Sequence, residues 1–354
     1  MIETKAAGKL YIAGEYAVVE PGYKAILASV DRYIYVYLEE ADDCGSITTY
    51  DNLPIAWKRE NGRLVLDKRD NRLSYIIASI RTVESYAKEL GIKLSFYHLK
   101  VISEMESKEG KKFGLGSSAA VTVATIDALC RFYGIKTSKM DLFKLSSLAQ
   151  LSINDVGSCG DIASSVFGGL IAYSSYDRSW VKDRIKSTPV GDLLAMAWPK
   201  LEIEYLPFPD GFNMLIGWTG SPASTAHLVD KVKDKKVNKD EIYNDFLRKS
   251  QDLVEKMIVG FKENKIEVIQ ENIAANRRVL KDMGENLNVL IETQALSKLC
   301  QIALDHEAYA KSSGAGGGDC GIAIVSDKEK INNIVASWKE NNIIHLPIKI
   351  NNKR

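Results

Sequence analysis

A glycine- and serine-rich segment at residues 114–120, G-L-G-S-S-A-A, has the composition of an anion-binding loop. Its glycines allow a sharp turn and a close approach of the backbone to a ligand. The apolar stretch at 119–133 predicts a helix whose first N–H groups lack acceptors, and these donors attract an anion together with the helix dipole. Ser117 and Ser118 add hydroxyls for phosphate oxygens or a metal ion. The segment therefore predicts a triphosphate site, with a serine-capped core helix as the alternative.

Two further segments combine glycines with residues that suit a charged cleft. Lys9 begins a strand-like stretch within residues 8–19, G-K-L-Y-I-A-G-E-Y-A-V-V, where it would place a fixed positive charge beside a Gly-Glu turn. Residues 311–321, K-S-S-G-A-G-G-G-D-C-G, hold five glycines between 314 and 321. Such a run predicts close backbone approach or several positive φ angles. It leads directly into an apolar strand candidate, which a simple linker rarely does.

The elements that must position these segments mix strands and helices without strict alternation. β-Branched and aromatic runs predict strands, and apolar residues at helical spacing predict helices. The predicted strands are 9–13, 31–39, 94–102, 212–218, 321–325 and 343–350, and the predicted helices are 73–90, 119–133, 139–151, 224–232, 239–264, 266–283 and 291–311. This order favours an α+β fold over a doubly wound one. Prolines from Pro199 to Pro209 indicate a lobe boundary, which gives domains at 1–198 and 211–354.

Composition limits the possible functions. The 354 residues predict two packed lobes, and the net charge of +1 provides no overall basic field for nucleic acid or an anionic membrane. We find no apolar run of about 18 residues and no signal-peptide pattern, so we expect no membrane span. Five scattered cysteines without a C-x-x-C pair predict free thiols in the cytoplasm. The expected partners are a small-molecule substrate and a nucleotide, and both a monomer and a homodimer stay open.

Other nucleotide-binding classes fit this sequence less well. The loop formally matches G-x-G-x-x-A, but residues 109–113 before it are mostly polar, and no acidic residue ends a second strand about 20 positions later. A dehydrogenase is therefore a weaker alternative. The sequence has no G-x-x-x-x-G-K-[ST], H-R-D or D-F-G motif, which disfavours a Walker-type NTPase and a protein kinase.

Three segments in this order resemble the three motifs of the GHMP kinases: the first motif (residues 8–19), the phosphate loop (residues 114–119) and the third motif (residues 311–321). Three shorter stretches resemble the phosphomevalonate kinase branch, namely G-E-Y at 14–16, S-C-G-D-I-A at 158–163 and G-W-T-G-S-P-A-S at 217–224. The resemblance implies a ribosomal-S5-like N-terminal domain, a ferredoxin-like C-terminal domain and an active site between them. It also implies ATP- and Mg²⁺-dependent phosphorylation of (R)-5-phosphomevalonate to (R)-5-diphosphomevalonate in the isoprenoid-building mevalonate pathway.

The resemblance assigns roles only at positions that match its motifs. Lys9 matches the lysine expected to neutralise charge where the acceptor oxygen meets the γ-phosphate, and Asp161 matches the aspartate that accepts a proton in relatives that phosphorylate a hydroxyl. ATP phosphates are assigned to Gly114, Leu115, Gly116, Ser117, Ser118 and Ala119, with Ser118 as the magnesium ligand. Substrate binding is assigned to Lys9, Tyr16, Ser158, Gly160, Ser221, Gly314, Ala315 and Gly316.

Two departures from the family pattern bear on the substrate. Gln150 stands eleven residues before Asp161, where mevalonate kinase carries a magnesium-binding glutamate, and residues 154–157 differ from the Gln-Gly-Asn-Gly of many phosphomevalonate kinases. Gln150 disfavours mevalonate kinase and leaves a second metal ligand unassigned. Mevalonate kinase or another GHMP small-molecule kinase is the first alternative. A non-catalytic nucleotide-binding regulator is the second.

Overall fold

The computed structural model of the chain describes residues 1–49, 53–67, 71–107, 110–153, 157–221, 225–236 and 240–351, with the side chains of 71, 225–227 and 236 left out. The first part of the chain forms a large sheet and the helices that cover it. Its elements are β1 (Ile2–Ala13), β2 (Lys24–Ala41), β3 (Gly45–Thr48), β4 (Pro54–Glu60), β5 (Arg63–Leu66), α1 (Ser74–Glu89), β6 (Phe96–Ser103), α2 (Ser117–Phe132), α3 (Lys139–Leu151), α4 (Gly160–Phe167), β7 (Leu170–Ser174), α5 (Arg178–Ile185), α6 (Val190–Ala195) and β8 (Glu202–Leu206).

Strand β2 is the centre of this sheet. It pairs with β1 along one edge, and with β7 and β6 in succession along the other. The strand order is β5-β4-β3-β6-β2-β7-β8, with β1 beside β2 outside this path. Successive side chains of β2 point to opposite faces of the sheet. Ile34, Val36 and Leu38 accordingly lie in the core, while Tyr33 and Tyr35 face outward. Helices α2 and α4 pack on the buried face, so their N-terminal ends lie close to β1.

The second part of the chain forms a smaller antiparallel sheet with helices. Its elements are β9 (Asn213–Trp218), α7 (Thr225–Lys236), α8 (Asp240–Lys262), α9 (Ile266–Leu287), α10 (Gln294–Asp305), β10 (Tyr309–Ser312), β11 (Cys320–Val325), α11 (Glu329–Glu340) and β12 (Ile344–Leu346). The strand order is β10-β11-β9-β12. Helices α10 and α11 pack against it through a separate apolar cluster that includes Leu299 and Trp338. The third motif fills the loop between β10 and β11, so the two strands fix both of its ends.

Some elements differ from those that the sequence predicts. The predicted helix over 291–311 was wrong at its end, because α10 stops at Asp305 and a turn at Glu307, with φ of 57°, leads into strand β10. The predicted strand over 343–350 is shorter, since Pro347 has no N–H to continue the pairing of β12. The charged hairpin β4–β5 was not predicted.

The first sheet continues past residue 198. Strand β8 pairs with β7 and lies between the prolines that suggested a linker, at the edge of the sheet where proline is tolerated. The last described residues return to the same sheet, because the Asp31 N–H donates to the Lys349 carbonyl at 2.9 Å. Within the described part of the chain, no helix combines the length and apolar character that a bilayer span requires.

Candidate active site

The phosphate loop leads directly into α2. Gly114 and Gly116 have φ of 78° and 80°, and Gly116 is the last residue before the helix. Because α2 begins at Ser117, the N–H groups of Ser117, Ser118 and Ala119 have no acceptor within the helix. These three donors and the positive end of the helix dipole are the groups that a phosphate prefers.

Neighbouring motifs pack closely against both glycines of the loop. A Cβ on Gly114 would lie 2.5 Å from Cγ of Asp319, and a Cβ on Gly116 would lie 3.0 Å from Cε of Lys9. The Lys9 N–H also donates to the Leu115 carbonyl at 2.8 Å, which joins the loop to β1. The phosphate loop is therefore packed between the first motif and the third motif.

Lys9 places its ammonium group at the phosphate loop. The residue is 9% exposed, Nζ lies 3.5 Å from the Gly114 carbonyl oxygen, and the same atom lies 5.4 Å from the centre of the Tyr11 ring. The side chain thus runs along the loop rather than into solvent. Lys9 can contribute positive charge where a terminal phosphate would meet an acceptor.

Asp161 lies in the first turn of α4, on the same side of the site as Lys9. The helix begins at Gly160 after Cys159, whose φ of 59° turns the chain sharply. The Ile162 N–H donates to Asp161 Oδ1 at 3.0 Å. Burial raises the pKa of the Asp161 carboxyl, and the nearby Lys9 ammonium opposes that rise. The structure therefore brings together the lysine and the aspartate that the sequence analysis selected.

Tyrosine hydroxyls fix the turn before α4. The Tyr173 hydroxyl donates to the Ser158 carbonyl at 2.6 Å, and the Tyr11 hydroxyl lies 3.3 Å from Ser158 Oγ. The Tyr176 hydroxyl lies 3.3 Å from Cys159 Sγ. Ser158, predicted to bind substrate, is 8% exposed and has these protein partners. Its role in binding substrate stays a prediction.

The raised pKa of Asp161 gives a stability prediction. The folded protein binds the Asp161 proton more tightly than the unfolded chain, so at pH 7 the ionised carboxylate weakens folding, and this cost disappears as the pH falls toward the ordinary value of 3.8. We expect Asp161→Asn to unfold at or above the wild-type melting temperature at pH 7. Thermal unfolding monitored by circular dichroism at pH 7 and pH 4 measures this.

Asp141 provides a matched control, because it also lies in the first turn of a helix. Asp141 Oδ2 accepts the Ser138 N–H at 2.9 Å in a capping box, so Asp141→Asn is expected to lower the melting temperature. A drop of several degrees for Asp161→Asn, equal to or larger than that for Asp141→Asn, would show that the Asp161 carboxylate stabilises the fold.

Ser118 has a neighbour that the sequence did not indicate. The Tyr75 hydroxyl, at the start of α1, interacts with the Ser118 side chain, and burial raises the pKa of Tyr75 although this contact opposes the rise. Nothing in the local sequence around Tyr75 marks it, because Tyr75 lies 43 positions before Ser118 in the chain.

 The Tyr75–Ser118 contact depends on the packing of α1 against α2, which no local sequence pattern reveals.

The residues around Ser118 fit a magnesium ion that is held mainly by nucleotide. Among the described residues, no group of three or more His, Cys, Asp or Glu side chains is placed to hold a metal ion. Mg²⁺ binds nucleotides through one or two protein groups, phosphate oxygens and water, so a sparse set of ligands is compatible with it. Ser118 Oγ, at the start of α2, is the group that would bind it. Gln150 is 8% exposed and packs against Gly157, and it offers an amide in place of a carboxylate.

Residues 311–315 of the third motif contact the first motif. Ser313 Oγ donates to the Tyr11 carbonyl at 2.9 Å, and the Tyr11 N–H donates to Ser313 Oγ at 3.0 Å. The Tyr16 hydroxyl donates to the Ala315 carbonyl at 2.5 Å. Tyr16 is 4% exposed, so the structure gives its hydroxyl a protein partner, and a role in binding substrate stays a prediction.

The remaining predicted site residues lie on or beside the third motif. Gly314 and Gly316 have φ of 88° and 71°, and the Gly314 N–H donates to Glu15 Oε1 at 3.4 Å. The Ser221 carbonyl accepts the Asp319 N–H at 2.8 Å, so Ser221 also lies at this loop. Residues 154–156, Ser224 and the side chain of His227 fall outside the described part of the chain.

Comparison with protein families identifies the class. The GHMP kinases N terminal domain matches residues 74–169, and the GHMP kinases C terminal domain matches residues 257–344. The chain belongs to the GHMP kinase family, as the three motifs predicted. The α+β, two-lobed GHMP fold is likewise confirmed.

Individual relatives narrow the comparison to one branch. The chain is 36% identical to a phosphomevalonate kinase from Streptomyces sp. strain CL190, over 97% of this chain and 95% of the relative. It is also similar to the solved structure of Streptococcus pneumoniae phosphomevalonate kinase in complex with phosphomevalonate and AMPPNP, with a TM-score of 0.88, 30% identity and coverage of 99% and 100% of the two chains. A mevalonate kinase from Pyrococcus furiosus is 29% identical, over 92% of this chain and 89% of the relative.

Proposed function

We propose that this protein is an ATP-dependent phosphomevalonate kinase, which transfers the γ-phosphoryl group of ATP to the phosphate of (R)-5-phosphomevalonate and releases ADP and (R)-5-diphosphomevalonate. The observation that carries the proposal is the meeting of Lys9 on β1, the phosphate loop before α2 and Asp161 in the first turn of α4. The full-length similarity to phosphomevalonate kinases selects the acceptor.

Backbone N–H groups and the positive charge of Lys9 hold ATP, the phosphoryl donor. The phosphates of ATP bind the free N–H groups at the start of α2, where the helix dipole and the donors favour negative charge. Lys9 lies against the same loop, so its ammonium group neutralises charge as the γ-phosphate moves toward the acceptor. Ser118 would hold a Mg²⁺ ion, which when bound would supply further positive charge to the phosphates.

The acceptor is a phosphate group, and this changes the chemistry that the site must perform. The second pKa of a phosphomonoester is about 6, so the attacking oxygen is already largely ionised at neutral pH. The enzyme then has little proton to remove, and its main work is to bring two anions together. On this account Asp161 orients Lys9 and the acceptor, and it does not act as an essential base.

A substrate panel tests the proposal. ADP release is measured with ATP and, in turn, 5-phosphomevalonate, mevalonate, homoserine and galactose. We expect kcat/KM for 5-phosphomevalonate to exceed that for mevalonate by about 1,000-fold or more, because a site built to bind a phosphate leaves polar groups unpaired when the phosphate is missing.

The control for this assay is each acceptor without ATP, and ATP without acceptor. A higher kcat/KM for mevalonate would assign the protein to the mevalonate kinases instead. ATP binding without turnover of any acceptor would support a non-catalytic regulator.

We also propose that the protein works in the cytoplasm as a monomer or homodimer.

A further inference from the structure

A buried ion pair outside the reacting groups joins the first motif to the third motif. Lys311 Nζ, at the end of β10, donates to Glu15 Oε1 and also to the Ser312 carbonyl at 2.6 Å. The Lys311 and Glu15 side chains are 0% and 2% exposed. The two residues are 296 positions apart in the sequence, so the pair forms only when the two motifs pack together.

The pair is poorly built for stability alone. Glu15 Oε2 is buried and has no hydrogen-bond partner among the described residues. Two buried charges lose their hydration, and an incompletely bonded pair recovers little of that cost. A second donor to the Glu15 carboxylate also belongs to the third motif, because the Gly314 N–H donates to Glu15 Oε1 at 3.4 Å.

The neighbouring residue adds a second contact to the same loop and carries backbone strain. Tyr16 has φ of 61° and ψ of −48°, a conformation that disfavours a bulky side chain. This conformation directs the Tyr16 hydroxyl to the Ala315 carbonyl at 2.5 Å. Consecutive residues of the first motif therefore fix consecutive residues of the third motif.

The third motif in turn contacts the phosphate loop. Cys320 Sγ donates to the Phe113 carbonyl at 3.1 Å, and the Asp319 side chain packs on Gly114, where an added Cβ would lie 2.5 Å from its Cγ. Gly316 and Gly317 have positive φ of 71° and 74°, so the loop has many conformations to lose and depends on such contacts to keep one. A shift of the third motif would therefore displace the residues that bind phosphate.

We infer that Glu15 and Lys311 are positioning residues, whose buried pair fixes the third motif and, through Asp319 and Gly114, the phosphate loop. The inference rests on the proposed phosphoryl transfer for its kinetic readout, but nucleotide affinity tests it separately. Neither residue touches the reacting atoms on this account. Their effect is on the placement of the γ-phosphate relative to Lys9.

Four variants and one control test the inference: Glu15→Gln, Lys311→Met, the double variant, Tyr16→Phe and Glu84→Gln. Glu84, which lies on α1, is a matched control because it forms another buried ion pair. Its Oε1 lies 2.7 Å from Arg59 Nη2. Melting temperature, the Kd of a non-hydrolysable ATP analogue by calorimetry, and kcat with both KM values are measured at a temperature where every variant is folded.

We expect Glu15→Gln and Lys311→Met to lower kcat by about 100-fold, since a misplacement of about 1 Å has that effect. The affinity for the ATP analogue is expected to fall about tenfold in both single variants. The double variant is expected to recover melting temperature, because no unpaired buried charge remains, without recovering kcat. Tyr16→Phe, which removes one hydroxyl, is expected to lower kcat about tenfold. Glu84→Gln is expected to lower the melting temperature and to keep the wild-type kcat.

The inference would be overturned if folded Glu15→Gln kept the wild-type kcat and the wild-type affinity for the ATP analogue. If a single charge variant does not fold, the same result in the double variant and in Tyr16→Phe would overturn it. Recovery of kcat together with melting temperature in the double variant would also overturn it. If the wild-type protein does not phosphorylate 5-phosphomevalonate, the proposed function fails. The analogue affinities then decide the positioning role without it.

Discussion

Lys9→Met is expected to lower kcat by about 1,000-fold or more while the protein stays folded and still binds an ATP analogue. Lys9 Nζ lies 3.5 Å from the Gly114 carbonyl of the phosphate loop, so its charge acts where two anions must meet. Methionine keeps most of the side-chain volume and removes only that charge. Steady-state and single-turnover ADP release measure the loss.

Asp161→Asn is expected to lower kcat less than Lys9→Met does. The acceptor oxygen is already ionised, so the acid limb of the pH–rate profile, near the acceptor's second pKa of about 6, should persist in Asp161→Asn. Losses of several thousand-fold in both steady-state and single-turnover rates for Asp161→Asn, with nucleotide still bound, would instead establish Asp161 as a base.

Lys5→Met is the control for Lys9→Met. Lys5 lies on β1, as Lys9 does, but its Nζ lies 4.4 Å from the centre of the Tyr33 ring.

Gly114→Ala is expected to lower kcat/KM for ATP by about 100-fold. The added methyl would lie 2.5 Å from Asp319 Cγ, and the loop or the third motif must move to admit it. Titration with ATP at saturating acceptor measures the effect, and calorimetry with an ATP analogue shows whether binding is lost.

Gly91→Ala separates this contact from backbone strain. Gly91 has φ of 72°, close to that of Gly114, but an added Cβ there meets no atom within 4 Å. Both variants lose stability because alanine disfavours positive φ. Only Gly114→Ala should lose kcat/KM. Equal kinetics in the two variants would mean that close packing of the third motif on the phosphate loop has no part in binding ATP.

Local patterns predicted several of the elements that carry the motifs. The apolar spacing around residues 119–133 predicted α2, which begins at Ser117, and the helix predicted over 139–151 coincides with α3. These predictions succeed because the helical period and the flanking glycines are local properties. Strand β10 was missed because its four residues follow α10 after a short turn and have no strand pattern of their own.

Contacts between distant segments were out of reach of the sequence. Glu15 and Lys311 both stand inside predicted motifs, but nothing in either motif indicates that the two side chains pair across 296 positions. The packing of Asp319 on Gly114 also depends on how the two sheets come together. The sequence therefore predicted which segments form the site, while the tertiary structure decides which side chains reach phosphate and which support the loops.

In the proposed reaction, the N–H groups at the start of α2 bind the triphosphate while Lys9 faces the acceptor phosphate. A crystal structure with a non-hydrolysable ATP analogue and 5-phosphomevalonate tests it most directly. We expect phosphate oxygens within hydrogen-bond distance of the amides of Ser117, Ser118 and Ala119, with Lys9 Nζ next to both the γ-phosphate and the acceptor phosphate. A triphosphate bound elsewhere, with no anion at this turn, would contradict it.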